Sequence, residues 1–214
     1  MNTIELIKCK RTDALYQEIR DRHYIANRGT HGQQMHYKIS VDDEIVGIIS
    51  GASSVWAVKA RDEFFGLTKE NKRKGLPSII NNTVFRLEKH IPNLATQVLA
   101  LWRKRCVKDW REKYNVEPHG FETFVVETDF RKGTVYKADN WIFLGETFGS
   151  TKSHKGLMNK SVRKNTNKKL IYAKKIPKTK LSTEYEATWN KPNKSKPIDK
   201  VEQVQEDLFS YEGS

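Results

Sequence analysis

Few residue types in this chain can do covalent chemistry, and they are spread over both halves. Tyr24, which follows His23, and Tyr136 each carry a phenol that can donate a proton to a leaving group or relay one. The plainer role for either is a packed ring with a satisfied hydroxyl. His23 is a base or ligand by type, or a capping residue. Glu122, Glu127 and Asp129 fall on or just after one apolar stretch, where a carboxylate can act as a base or orient a phenol. Asp129 reads better as a surface residue. Asn81, Asn82 and Asn140 carry the amide that can pair bidentately with a nucleobase edge, and Trp141 has a face on which a base can stack, although it also begins an apolar strand. Asn93-Leu94-Ala95-Thr96 opens a helix directly after a strand, and the free amides of such a helix start can hold an anion.

Charge points toward a polyanionic partner. The 214 residues carry 39 Lys and Arg against 26 Asp and Glu, a formal net charge of +13. Clustered cations release counterions from phosphates on binding. The densest run includes Lys152, Lys155, Lys160, Arg163, Lys164, Lys168 and Lys169, and from Thr151 to Lys175 it holds no acid at all. These lysines, with Asn81, Asn82 and Asn140, are the candidate contacts to double-stranded DNA. Cys9 and Cys106 are isolated from each other, which fits a reducing cytoplasm and argues against a disulfide framework. The histidines are scattered, so spacing yields no metal set. No run approaches the ~20 apolar residues that span a bilayer, and residues 1–10 lack a signal-peptide core.

The elements that must position these residues follow from periodicity. Residues 12–22 read as a helix, followed by a Gly-containing loop over 27–32. Residues 35–41 and 45–51 read as a β-hairpin around Asp42-Asp43-Glu44, its second strand apolar on both faces. Residues 53–80 read as an irregular insertion with short helical pieces. A strand is expected over 83–90, then a long helix over 94–114 with Leu94, Val98, Leu101, Trp102, Cys106 and Trp110 as its apolar stripe and Asn93 as N-cap. Strands at 121–126 and 141–145 flank a short helix at 134–140. The expected organisation is a catalytic domain over 1–150, a basic DNA-contacting extension over 151–176 and a flexible polar tail over 177–214.

This succession resembles the N-acetyltransferase (GNAT) fold, a mixed α/β architecture in which a central mixed sheet is flanked by helices. In that family the turn after the fourth strand holds the pyrophosphate of acyl-CoA, although His90-Ile91-Pro92-Asn93-Leu94-Ala95-Thr96 stands here in place of the family's glycine-containing signature. A narrower resemblance rests on an ordered series: His23-Tyr24, Arg61-Asp62, Ile80-Asn81-Asn82, Phe85-Arg86-Leu87, Ile91-Pro92-Asn93-Leu94-Ala95, Asp109-Trp110, Tyr114, Glu122-Thr123-Phe124-Val125, Gly133 to Trp141, and Leu144-Gly145-Glu146-Thr147. The series is similar to the family joining Mom-type phage adenine-modification proteins with the Druantia protein DruA.

The resemblance implies a transferase that converts adenine N6 in DNA to a carbamoylmethyl derivative and so shields the DNA from restriction. The alternative is a DNA-binding defence component without chemistry. It implies a small-molecule group donor, with acyl-CoA possible, at Asn93, Leu94, Ala95 and Thr96. It further implies that Tyr24, Tyr136 and His23 act at the reacting centre. Many relatives have an acid near Val126, and Glu127 is the substitute available in this chain.

Overall fold

The computed structural model describes residues 3–25, 32–54, 58–147 and 168–183. Seven strands form one sheet: β1 (Ile4–Cys9), β2 (Gln34–Val41), β3 (Glu44–Ser53), β4 (Ile79–Leu87), β5 (Gly120–Val126), β6 (Ile142–Thr147) and β7 (Lys169–Lys175). Their spatial order is β1-β2-β3-β4-β5-β7-β6. All neighbours are antiparallel except β4 and β5, which run parallel. Five helices accompany them: α1 (Ala14–Asp21), α2 (Lys59–Phe65), α3 (Lys72–Gly75), α4 (Leu94–Tyr114) and α5 (Thr134–Ala138). The expected mixed sheet flanked by helices is therefore the architecture of the chain.

Local chemistry explains the clearest elements. Asp42 and Asp43 both adopt positive φ at the tip of the β2–β3 hairpin, the conformation a two-residue turn needs to follow strand twist. Asp13 caps α1 by accepting the Tyr16 N–H at 3.0 Å. α4 supplies the parallel crossover and buries Leu94, Val98, Leu99, Trp102, Cys106 and Trp110. Leu101 of the expected stripe is only half-buried, and Leu99 takes the inward place. Asn93 does not cap α4 with its side chain; it enters the helix in the left-handed region at φ 61°.

Alternation along β4 shows how the layers lie. Ile80 packs into the main core with Trp102 and Phe121, on the α4 face. Its neighbour Ile79 packs with Phe65 and Leu76 on the opposite face, where α2 sits. Tyr16 and Ile19 of α1 cover Ile48 and Val84 on that second face. Both faces of the central strands are covered, which is why β3 reads as a nearly continuous apolar run.

Two strands depart from the sequence expectation. β1 occupies one edge of the sheet. Residues 169–175, expected within a basic extension, form β7 and lie between β5 and β6 with Leu170, Ile171, Tyr172 and Ala173 buried. Lysines at both ends of this run hide a short core strand. β4 begins at Ile79, four residues before the expected start, because the insertion ends in a 3-10 turn at Leu76–Ser78. Lys152, Lys155, Lys160, Arg163, Lys164 and most of the polar tail lie outside the described residues. No helix among the described residues is long and apolar enough to cross a membrane.

Candidate functional site

The ladder between β4 and β5 ends at Asn82 and Thr123, while β4 continues to Leu87 and β5 to Val126. The two parallel strands therefore part, and the sheet opens. Tyr136 reaches the base of this opening from α5. Its Oη donates to Asn82 Oδ1 at 2.7 Å, and Thr123 Oγ1 lies 3.5 Å from it. The Tyr136 ring is stacked on Tyr172 and meets the edge of Trp141. Gly133, at φ 70°, starts α5, and a Cβ there would sit 2.3 Å from the Tyr172 ring, so only glycine lets α5 approach this closely. Arg103 of α4 grips Asp139 with two hydrogen bonds of 2.7 and 2.6 Å and fixes the far end of α5. Burial, with Tyr24 nearby, pushes the Tyr136 phenol up, so it stays protonated at neutral pH.

Tyr24 approaches from the other side of the sheet, just past α1. The residue is 42% exposed, and its ring rests against His23, at 4.3 Å between centroids, and under the Arg131 guanidinium, at 4.0 Å. Desolvation raises the Tyr24 pKa; Arg131 and the Val126 backbone pull it back. His23 is buried, and its Nδ1 accepts the Ile25 N–H at 3.2 Å, which leaves the ring proton on Nε2. Burial, reinforced by Arg20, Arg86 and Arg131, lowers His23 to about 4. It is a neutral imidazole at physiological pH and a weak base. Arg131 Nε is buried without a hydrogen-bond partner.

A groove of about 590 Å³ adjoins the opening on the α4 face. It is bounded by the β4–α4 connection, by Asn93, Ala95 and Thr96 at the start of α4, and by Thr134, Val135 and Ala138 of α5. The first-turn amides of α4 have no intrahelical acceptor, as at any helix start. Leu94 is absent from this lining; it is 1% exposed and belongs to the core.

The remaining candidates are placed elsewhere. Glu122 is wholly buried on the face opposite Thr123, where it accepts Arg61 Nη1 at 3.0 and 2.9 Å and the Ser54 hydroxyl at 2.5 Å. Arg61 also binds Asp62, which binds Lys72. Expected as a catalytic acid, Glu122 is instead the centre of a buried ion network that anchors α2 to the sheet. Burial raises its pKa; Arg61 and Ser54 oppose the rise. Glu127 pairs with Lys168 at 2.8 Å, and Lys168 also binds Glu146 at 2.5 Å, so both belong to a surface network joining β5, β6 and β7. Lys169 opens β7.

Asn82 is no free reader of bases: its Oδ1 holds Tyr136, and its Nδ2 donates to the carbonyls of Ser50 and Val84 at 2.9 and 3.1 Å. Asn81 is half-buried on the Glu122 face, with Oδ1 lacking a partner. Asn140 is exposed at φ 58° just past α5. Trp141 is in the core, its Nε1 donating to Asp139 at 2.7 Å. Sequence reasoning missed Thr123, Arg86 and Arg131. Arg131 stands in a short loop between strand and helix, where no periodicity marks it.

Comparison with known proteins places the chain in a family. A structure of RimL, a ribosomal L7/L12 alpha-N-protein acetyltransferase in complex with coenzyme A, shares 12% identity over 67% of this chain at a TM-score of 0.41. The chain spans only 62% of that enzyme's length. A Bacillus subtilis acetyltransferase in complex with CoA shares 8% identity over 82% of this chain and 99% of its own, with a TM-score of 0.48. A putative acetyltransferase from Acinetobacter baylyi gives 8% over 82% and 94%, with a TM-score of 0.47. No curated protein matches by sequence. The description Druantia protein DruA, in contrast, matches residues 2–180. The chain belongs to the Druantia DruA family.

Proposed function

We propose that this protein is a DNA-modifying transferase that places a carbamoylmethyl group, or an acyl group, on adenine N6 and so protects the DNA from restriction. One observation carries the reading: two phenols distant in sequence, Tyr24 and Tyr136, approach from opposite faces the point where β4 and β5 part, beside an open groove. N6 of adenine is a poor nucleophile because its lone pair is delocalised into the ring. In the transfer it forms a bond to the donor's electrophilic carbon, the bond to the leaving group breaks, and N6 gives up one proton. Tyr136 remains protonated and is the proton donor to the leaving group. Tyr24, held by His23 and Arg131 and partly exposed, relays the proton lost from N6 to solvent. N6 is paired within a duplex, so the base has to be flipped or the duplex opened.

The groove suits a donor with an anionic group. Asn93, Ala95 and Thr96 would hold it at the positive end of α4. Pro92 has no N–H, so this turn offers fewer amides than a glycine-rich one. Acyl-CoA, when bound, would supply an activated acyl carbon and lead to an N6-acyl product; a carbamoylmethyl product requires instead a donor whose electrophilic carbon is a methylene bearing the leaving group.

Nucleoside mass spectrometry of plasmid DNA from cells expressing the protein tests the reading. A heavier deoxyadenosine is expected with the wild type, and its loss with Tyr136→Phe and Tyr24→Phe at unchanged folding. A second reading compatible with the family match is a DNA-binding defence component without chemistry. Unmodified DNA from a folded, DNA-bound wild type selects that one.

A further inference from the structure

β1 stops at Cys9, opposite His36, while β2 begins two residues earlier at Gln34. A cavity of about 520 Å³ opens there, between the exit of β1, the start of β2 and the last turn of α4. Lys8, Lys10, Arg11 and Lys113 line it, and no Asp or Glu does. Two of the ammonium groups are already positioned. Lys8 lies 3.2 Å from the buried Asp109, and Lys113 donates to the Gln34 carbonyl at 3.2 Å. Cations fixed before binding lose less side-chain freedom on meeting an anion. His36 also faces the cavity. Its Nδ1 lies 3.0 Å from both Tyr16 Oη and Ser50 Oγ, which fixes the ring.

The cavity is near the catalytic opening. Met35, which lines it, pairs with Gly51, Gly51 with Asn82, and Asn82 with Thr123. Three strand spacings make about 14 Å, or roughly four base-pair steps of duplex DNA. Arg131 and Arg86 stand around His23 beside the opening, Arg86 being paired with Glu88. A small anion would use one end only; a phosphodiester chain engages both.

We infer that this cavity holds the DNA backbone a few nucleotides from the base presented between Tyr24 and Tyr136. The inference rests on the DNA-modifying reading and adds a contact surface separate from the C-terminal lysines. The test is binding of a 30-base-pair duplex across a salt series by the full-length wild type and by Lys10→Gln/Arg11→Gln/Lys113→Gln. The control is Lys59→Gln/Lys69→Gln/Lys74→Gln, an equal charge change on the α2–α3 side. The cavity variant should lose about 2 to 3 from the slope of log K against log salt, since each phosphate contact contributes about 0.9. It should also bind at least tenfold more weakly, with the control near wild type.

Equal losses in both variants, or none in either, overturn the assignment while leaving the transferase reading to the mass spectrum. Binding of a free mononucleotide that the cavity variant loses, with duplex binding unchanged, makes the cavity a small-anion site and also overturns it. A wild type that binds no duplex at low salt removes the assignment together with DNA as the partner.

Discussion

Glu122 and Glu127 stand five positions apart, yet their surroundings give them different work. Glu127 is a solvent-facing ion-pair partner of Lys168, worth little in stability because water and salt screen such pairs. Glu122 is 0% exposed and holds an equally buried Arg61. Removing one member of a buried pair strands the other, so Glu122→Ala should cost about 3–5 kcal/mol, read as a shift in the urea midpoint. Glu122→Gln keeps a hydrogen-bonding group and should cost less while leaving DNA modification per folded molecule intact. A loss below about 1 kcal/mol for the alanine variant would show that Arg61 finds water instead. None of this is visible in the sequence: Glu122 sits in a run of alternating strand residues, and only the fold brings Arg61 and Ser54 against it. The phenols are the converse. Tyr24 and Tyr136 were legible through the motifs around them, whereas their convergence depends on where a strand ladder stops.

Among elements, legibility followed the strength of the repeating pattern. The β2–β3 hairpin and α4 were readable because alternation and a three-to-four spacing run without interruption, and α4 begins and ends at the expected residues. β1 and β7 were not. β1 is an edge strand with half its side chains in solvent, and β7 buries four residues between paired lysines. β7 donates to and accepts from both β5 and β6, so it closes two ladders at once. A chain ending at Lys168 would leave β6 without a neighbour, open one edge of β5 and remove Tyr172, on which Tyr136 is stacked. Such a truncation should show no cooperative thermal unfolding by circular dichroism. A well-folded truncation that merely binds DNA less tightly would instead return this segment to a peripheral role.

Taken whole, the molecule combines a high positive charge with histidines kept neutral inside it. His23 and His36 are both lowered to about 4, in each case by desolvation first and then by neighbouring cations. An unfolded histidine titrates near 6.5, so between roughly pH 6.5 and 4 the unfolded chain binds protons that the folded one refuses. Stability is therefore full above about pH 6.5 and falls as pH drops through that window, by on the order of 3 kcal/mol for a residue as buried as His23. Melting temperatures taken across this range check the sign; a flat profile would mean that these rings are reached by water. The order of the strands also has a consequence in time. Residues 169–175 leave the ribosome after every other strand of the sheet, yet their place is in its interior. Until they arrive, β5 and β6 present open edges and the Tyr136 ring lacks its stacking partner. A nascent chain can therefore assemble the hairpin and α4 early, but the opening between β4 and β5 acquires its shape only once residues 169–175 have emerged.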